Sequence, residues 1–296
     1  MLNKLKNIYE KHYKVLLIIT IAFLLFSGGV LALHKMQTGE LISKDVSIKG
    51  GVFVTINTDK VLDLSQTERA LAAELGTSVS IKQLQGFGTT GLGYSFTVEP
   101  MSTETVLNAI TKVTGIELTQ GAYTVEEVSS GLGATFWSEI LKAIGFAFAF
   151  MSVVIILYFR KAVPSFAVIL CAISNLVGTL AIMDLLHIKL SVGGVAALLM
   201  IIGYSIDTDI LLSTRMLKRT TEGSDFERML SSVKTGMTME LTAIAALSVL
   251  FIVSPADILK QISLLLIFGL ILDIPNTWIQ NGGIMRWYLE KKHGKS

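Results

Sequence analysis

The sequence predicts an α-helical polytopic membrane protein, with six transmembrane helices and one α+β domain between the first and the second. Three observations predict it. The 296 residues are 51% hydrophobic and only 16% charged, with a mean hydropathy of +0.62; soluble domains carry about 25% charged residues. Six apolar runs approach the roughly 20 residues that a membrane-spanning helix needs. Between the first two runs the pattern changes to the alternation of half-buried strands.

The runs are Val15–Leu33, Ile140–Phe159, Val163–Met183, Leu190–Leu212, Leu241–Val253 and Ile258–Ile279. The fifth is short, and Met237–Glu240 extend it backward. The first follows a basic start, "MLNKLKNIYEKHYK". Its apolar core of about 19 residues exceeds the 7–15 of a signal-peptide core, so a retained helix is expected.

Basic residues set the orientation. Lys4, Lys6, Lys11 and Lys14 precede span one, and Arg160 and Lys161 follow span two. Arg215, Lys218, Arg219, Arg228 and Lys234 follow span four, and Arg286, Lys291, Lys292 and Lys295 lie in the tail. The two short loops on the other side hold only Lys189 and Lys260. The expectation is a multi-pass protein of the cell membrane with both termini cytoplasmic. Residues 1–35 then form the N-terminus and first helix, 36–135 an extracytoplasmic domain, and 136–296 a five-helix bundle with a cytoplasmic loop and tail.

Within 36–135, "GVFVTIN" (51–57) alternates like a strand, and "LSQTERALAAEL" (64–75) reads as a helix with a capping box of Ser65 and Glu68. "SVSIKQLQ" (78–85) and "GYSFTVE" (93–99) read as strands joined by a glycine-rich turn, "GFGTTGL". Pro100 and Ser102 open a second helix through Val113, and "AYTVEEVS" (122–129) is a last strand. The order β-α-β-β-α-β is ferredoxin-like. After span four, "SDFERMLSSVK" carries a second capping box, Ser224 and Glu227, with Phe226, Met229, Leu230 and Val233 on one face. It reads either as an amphipathic helix on the inner membrane surface or as a connector packed on the spans.

Several function classes find no support. The single Cys171 permits no internal disulfide and no zinc spacing. His12, His34, His187 and His293 do not share a ligand spacing, so no metal and no cofactor is expected. Nucleotide-binding and nucleophile-elbow motifs are absent, and "GFGTTGLG" joins two strands instead of opening a helix. The net charge of +2 gives no reason to expect nucleic acid as a partner, and no enzymatic activity is expected.

The informative residues are acids at depth. Asp207 and Asp209 interrupt the fourth apolar run. Asp207 lies about 12 Å from Arg215 along a helix axis, near the middle of a core about 30 Å thick. Two residues apart means about 200° of rotation, so the two acids address opposite faces. Glu240, Asp273 and Asn276 are further polar groups in spans five and six. Such residues are costly in lipid and carry function or fix packing. Arg215 and Lys234 are the nearest candidate cations, with Lys234 the better placed. Gly193, Gly194, Ala196 and Ala197 would admit a close neighbouring helix.

One domain after span one, then five spans with "IGYSIDTDILLSTRMLKR" ending the fourth, resembles the SecF protein-export membrane proteins. Gly203, Tyr204 and Ser205 match the family's Gly-Tyr-Ser, and Arg215 falls on its first arginine. "SIKGGVFVTI" keeps Gly50 and Gly51 of a Gly-Gly mark before a strand. The acidic position of bacterial members falls on Thr208, between Asp207 and Asp209, the later aspartate falls on Thr214, and Lys234 stands for an arginine. The Ile-Asp-Thr-Asp-Ile-Leu form is similar to the archaeal branch. The resemblance implies SecD as partner in a pseudo-symmetric pair, the Sec translocation channel, and exported polypeptide met by the outside domain, all within membrane lipid. It does not by itself carry over the bacterial use of the proton gradient; that expectation comes from the acids at depth, at least one of Asp207 and Asp209 changing protonation or ion pairing during the working cycle. A purely structural subunit remains the alternative. An intramembrane aspartyl protease is disfavoured because Ile271-Leu272 precede Asp273 where Gly-x-Gly would stand, and a resistance-nodulation-division efflux pump would need about twice the spans.

Overall fold

The computed structural model describes the chain apart from residues 1, 85–91, 119–122, 129, 219–222, 255 and 294–296. It divides into two compact units, residues 44–141 and the rest.

In the smaller unit a short helix α2 (Val46–Lys49) leads into β1 (Gly51–Thr58). Then come α3 (Leu64–Leu75), β2 (Val79–Leu84), β3 (Leu92–Val98), α4 (Thr103–Thr114) and β4 (Tyr123–Val128). The sheet order is β2-β3-β1-β4, with all neighbours antiparallel. Alternation sets the register: Val54 stands opposite both Phe96 and Val125, and Ile81 opposite Phe96. Val52, Val54 and Ile56 of one strand face pack with Tyr94, Phe96, Leu71, Val106 and Ile110. The helix ends are fixed by Gly76 and Gly115, both left-handed. Gly50 (φ 85°) turns the chain from α2 into β1. The expected Ser65–Glu68 box does not form. Asp63 lies one position before the first helical residue and is the N-cap, its carboxylate accepting from Gln66 N at 3.0 Å. The glycine-rich turn lies outside the described residues.

The larger unit holds α1 (Leu2–Thr38), the later part of α5 (Ser130–Phe159), α6 (Ala162–Leu185), α7 (Val192–Lys218) and α8 (Asp225–Val253). A last long rod follows: α9 (Asp257–Pro275), a π-helical segment (Asn276–Asn281) and α10 (Gly282–His293). Among the described residues, six helices are long and apolar enough to cross a membrane. Pro275 has no N–H and its ring crowds the preceding turn, which is the usual cause of a register change; the wider π turn follows at once. The sixth run therefore continues as helix into the tail.

Small residues bring α7 against α9. A Cβ on Gly193 would stand 2.9 Å from Ile258 Cγ2, and one on Gly194 would meet Leu190 and Leu265. Gly269 of α9 is filled in turn by Ile201 of α7. α5 lays Met151, Ile155 and Phe159 on Val168, Ala172 and Ile202, and leaves Phe146 and Phe150 exposed. Asp184, at the end of α6, pairs with His34 Nδ1 of α1 at 2.6 Å.

α8 corrects one expectation. Ser224 and Glu227 form the reciprocal capping box, but the helix they open runs unbroken into span five. No separate surface helix exists there among the described residues. Met229 packs with Leu212, Met216 and Trp278, so this stretch is the buried first part of a spanning helix.

Candidate functional site

The centre of the larger unit is polar. α6 contributes Cys171, Ser174, Asn175 and Thr179, and α7 contributes Ser205, Thr208, Asp209 and Ser213, all buried. α9 and the π segment add Asp273, Asn276, Thr277, Gln280 and Asn281. These side chains are small or flat, so the helices approach closely and their polar atoms meet across the interfaces.

Asp273 is the hub. Its Oδ1 accepts from Asn175 Nδ2 at 3.1 Å and from Ser205 Oγ at 2.6 Å, and its Oδ2 accepts from Thr208 Oγ1 at 2.7 Å. Three helices are thus tied to one carboxylate. Thr277 Oγ1 lies 3.4 Å from Thr208 Oγ1 and 3.8 Å from Cys171 Sγ. Asp209 sits at the next level: Oδ1 accepts from Asn281 Nδ2 at 2.7 Å, while Oδ2 has no partner. The π segment is what turns Thr277, Gln280 and Asn281 inward together. Gln280 Nε2 reaches Ser174 Oγ at 3.0 Å, and Asn276 is buried with its amide nitrogen unpaired.

Glu240 of α8 is 1% exposed, and neither of its oxygens has a hydrogen-bond partner. It adjoins Asp273 and Trp278, whose Nε1 is also unpaired. A tight contact sets this corner, because Gly236 leaves room for the Trp278 ring where any Cβ would overlap it.

Asp207 points the other way, as the 200° separation requires. It is exposed and lines an open groove of about 390 Å³ with Tyr204, Thr208, Met239, Glu240 and Thr242. Gly203 and Tyr204 lie on the same exposed side, and a Cβ on Gly203 would meet nothing within 4 Å. The glycine-tyrosine-serine stretch therefore divides its labour. Ser205 serves the interior, and its neighbours face outward.

The two expected cations are not on the acids. Arg215 donates to Ser231 O at 2.7 Å and Ser231 Oγ at 2.8 Å. Lys234 is exposed and makes no ion pair among the described residues; six residues along one helix from Glu240, it lies about 240° around from it. No described cation is within ion-pair distance of Asp209, Glu240 or Asp273. Three carboxyls thus share the interior without a counter-charge, and neighbouring buried like charges cannot all ionise. Among the described residues no group of three or more possible metal ligands forms. Gly50 and Gly51 belong to the smaller unit and shape its backbone.

Sequence reasoning ranked Asp273 as secondary and missed Asn175, Gln280 and Asn281. The available signal was amide side chains inside apolar runs, which are as unusual there as acids.

Residues 108–291 match the family described as "Protein export membrane protein SecD/SecF, C-terminal". The protein-export membrane protein SecF of Methanocaldococcus jannaschii is 38% identical over 293 residues, covering 96% of this chain and 99% of that protein. SecF of Pyrococcus furiosus is 33% identical, covering 99% of this chain and 96% of its own. The crystal structure of SecDF, a translocon-associated membrane protein from Thermus thermophilus, superposes with a TM-score of 0.69 at 17% identity. The match covers 95% of this chain and 38% of that one. SecDF in its super-membrane-facing form gives 0.61 at 18%, with 94% and 38% coverage. At these identities the solved structures show the fold, whereas the curated relatives and the family match show descent. The chain belongs to the SecD/SecF family of protein-export membrane proteins, in its SecF branch.

Proposed function

We propose that this protein is a non-catalytic accessory subunit of the Sec translocase. It assists polypeptide export together with SecD, and its buried carboxyls couple proton movement to a change in helix packing. The observation that carries the coupling is the cluster Asp209, Glu240 and Asp273, at most 1% exposed and without an ion-pair partner among the described residues. A proton arriving at or leaving Asp273 changes what Ser205, Thr208 and Asn175 bind, and so changes how α6, α7 and α9 hold one another. The strand order β2-β3-β1-β4 supports reading the smaller unit as ferredoxin-like, and the basic residues support placing it outside the cell with both termini cytoplasmic. There it would meet polypeptide leaving the channel.

The groove around Asp207 supports a place for SecD. An acid exposed at mid-membrane depth is costly in lipid. A partner helix laid against Tyr204, Asp207 and Met239 would remove it from lipid and complete a paired bundle.

The scaffolding alternative draws on one observation: Asp273 has three donors, as a structural knot would. Export into membrane vesicles, with the proton gradient present or collapsed, separates the two. Under coupling, Asp209→Asn or Asp273→Asn assembles with SecD but loses the gradient-dependent part of export. Normal gradient-dependent export by both variants would end the coupling reading, and failure of both to assemble would support the knot.

A further inference from the structure

A second open space lies far from the acids. α1, α6 and α10 border an apolar groove of about 590 Å³, lined by Leu17, Ala162, Phe166, Leu170, Ile284 and Trp287 among others. Its position in depth is readable. Ala162 is the first residue of α6, directly after Arg160 and Lys161. Leu170 lies nine residues from Lys161, about 14 Å along the axis, which is close to one leaflet's share of a 30 Å core. The groove therefore runs from the headgroup level to mid-membrane, on the face where both chain ends emerge. That the ends meet there is shown by Tyr13 of α1 donating to Glu290 of α10 at 2.6 Å.

The mouth is basic. Each bordering helix places a lysine within about one turn of a groove residue, on the side of the membrane surface: Lys14 before Leu17, Lys161 before Ala162, and Lys291 after Trp287. All three are exposed. Lys291 Nζ stands 4.4 Å from the Trp287 ring centroid, and Arg286 lies 5.0 Å from the Tyr13 ring. Among the residues whose side chains are described, the acid beside the mouth is Glu290, and it is already engaged by Tyr13 and by Arg286 Nε at 3.1 Å. Phe166 is 61% and Trp287 41% exposed, so the space is open to the side.

We propose that this groove is a binding site for an anionic membrane lipid, one hydrocarbon chain lying along Leu17, Phe166 and Leu170 and the headgroup held by Lys14, Lys161 and Lys291. The lining is apolar to its full depth while the rim is cationic, which is the distribution of an anionic lipid in reverse. A zwitterionic lipid would fill the same floor without using the rim.

The test uses Trp287 as a built-in reporter. The full chain is reconstituted in phosphatidylcholine vesicles containing rising mole fractions of chain-brominated phosphatidylglycerol or chain-brominated phosphatidylcholine. Quenching of Trp287 is taken as the difference between the parent and Trp287→Phe. Half-maximal quenching is expected at a mole fraction about fivefold lower for the anionic lipid, the scale set by one lysine near a charged surface. Lys14→Gln/Lys161→Gln/Lys291→Gln should abolish that preference, and high salt should weaken it in the parent. Ala162→Phe, which fills the groove near its mouth, should protect Trp287 from both lipids. Equal potency of the two lipids on the parent would mean ordinary surrounding lipid only and would overturn the site. So would a preference that survives the triple substitution, or no quenching by either lipid.

Discussion

Thr208 donates its hydroxyl hydrogen bond to Asp273 across the α7–α9 interface at 2.7 Å. Thr208 is the position where bacterial relatives were expected to place their acid, and here it is a neutral donor. The hydroxyl and the carboxylate tie the two spans together, and the next residue of α7, Asp209, is itself a buried acid.

Thr208→Val is expected to lower the stability of the purified protein by about 0.5–2 kcal/mol, the range for an interhelical hydrogen bond within a membrane. Ser205→Ala should cost about the same, because it removes the 2.6 Å bond to the other oxygen. Denaturant titration in detergent measures both. Stability equal to the parent for the two variants would show that Asp273 is satisfied by other groups. The paired variant tests whether they act together, since neighbours in one network should not add.

Glycines in span four and span five should separate by their surroundings. Gly236→Leu forces a side chain into the Trp278 ring and Gly194→Leu meets Leu190 and Leu265, so each should destabilise by about 1–3 kcal/mol. Gly203→Ala adds its methyl to open space and should leave the isolated chain at least as stable. If Gly203→Leu nevertheless reduces recovery of SecD, the loss lies on the outward face and not in the bundle. A large stability loss for Gly203→Ala would contradict the geometry.

Val61 is 80% exposed in the smaller unit, and the native Cys171 is buried. Val61→Cys should therefore react with a membrane-impermeant thiol reagent in intact cells. Labelling that appears only after lysis would reverse the orientation proposed from the basic residues.

How much was legible beforehand follows from range. Alternation in "GVFVTIN" and the turn residues around α3 and α4 place the four strands and these two helices of the smaller unit within one or two residues, because strand and cap signals are local, whereas the four-residue α2 has no such signal. The opposite facing of Asp207 and Asp209 was equally local, a matter of 100° per residue. The counter-ions were not. Lys234 is the expected counter-ion of Asp207 or Asp209, yet it stands exposed on α8 and makes no ion pair among the described residues. The π segment was also hidden. Pro275 signalled a break, yet only the widened turn presents Thr277, Gln280 and Asn281 to α6 and α7, and no short-range pattern encodes it. Asn175 carries a local signal, an amide inside an apolar run, but nothing local names its partner Asp273, 98 residues away.

The last prediction separates the two acids that interrupt span four. Asp209 is fully buried and bonded to Asn281, whereas Asp207 is exposed in the groove beside Tyr204 and Met239. In the isolated chain, Asp207→Leu removes no internal hydrogen bond and should leave stability within about 0.5 kcal/mol, as for a surface substitution. Asp209→Leu strands the Asn281 amide and crowds Cys171 and Thr277, so a loss of about 1–3 kcal/mol is expected. Recovery of SecD by co-purification should show the reverse order: Asp207→Leu should lose the partner although the chain remains folded. An Asp207→Asn variant, which still accepts a hydrogen bond, should keep it if SecD supplies a neutral donor and lose it if SecD supplies a cation. Full recovery of SecD by Asp207→Leu would place the partner elsewhere, and the groove would then need another occupant to keep its acid out of lipid.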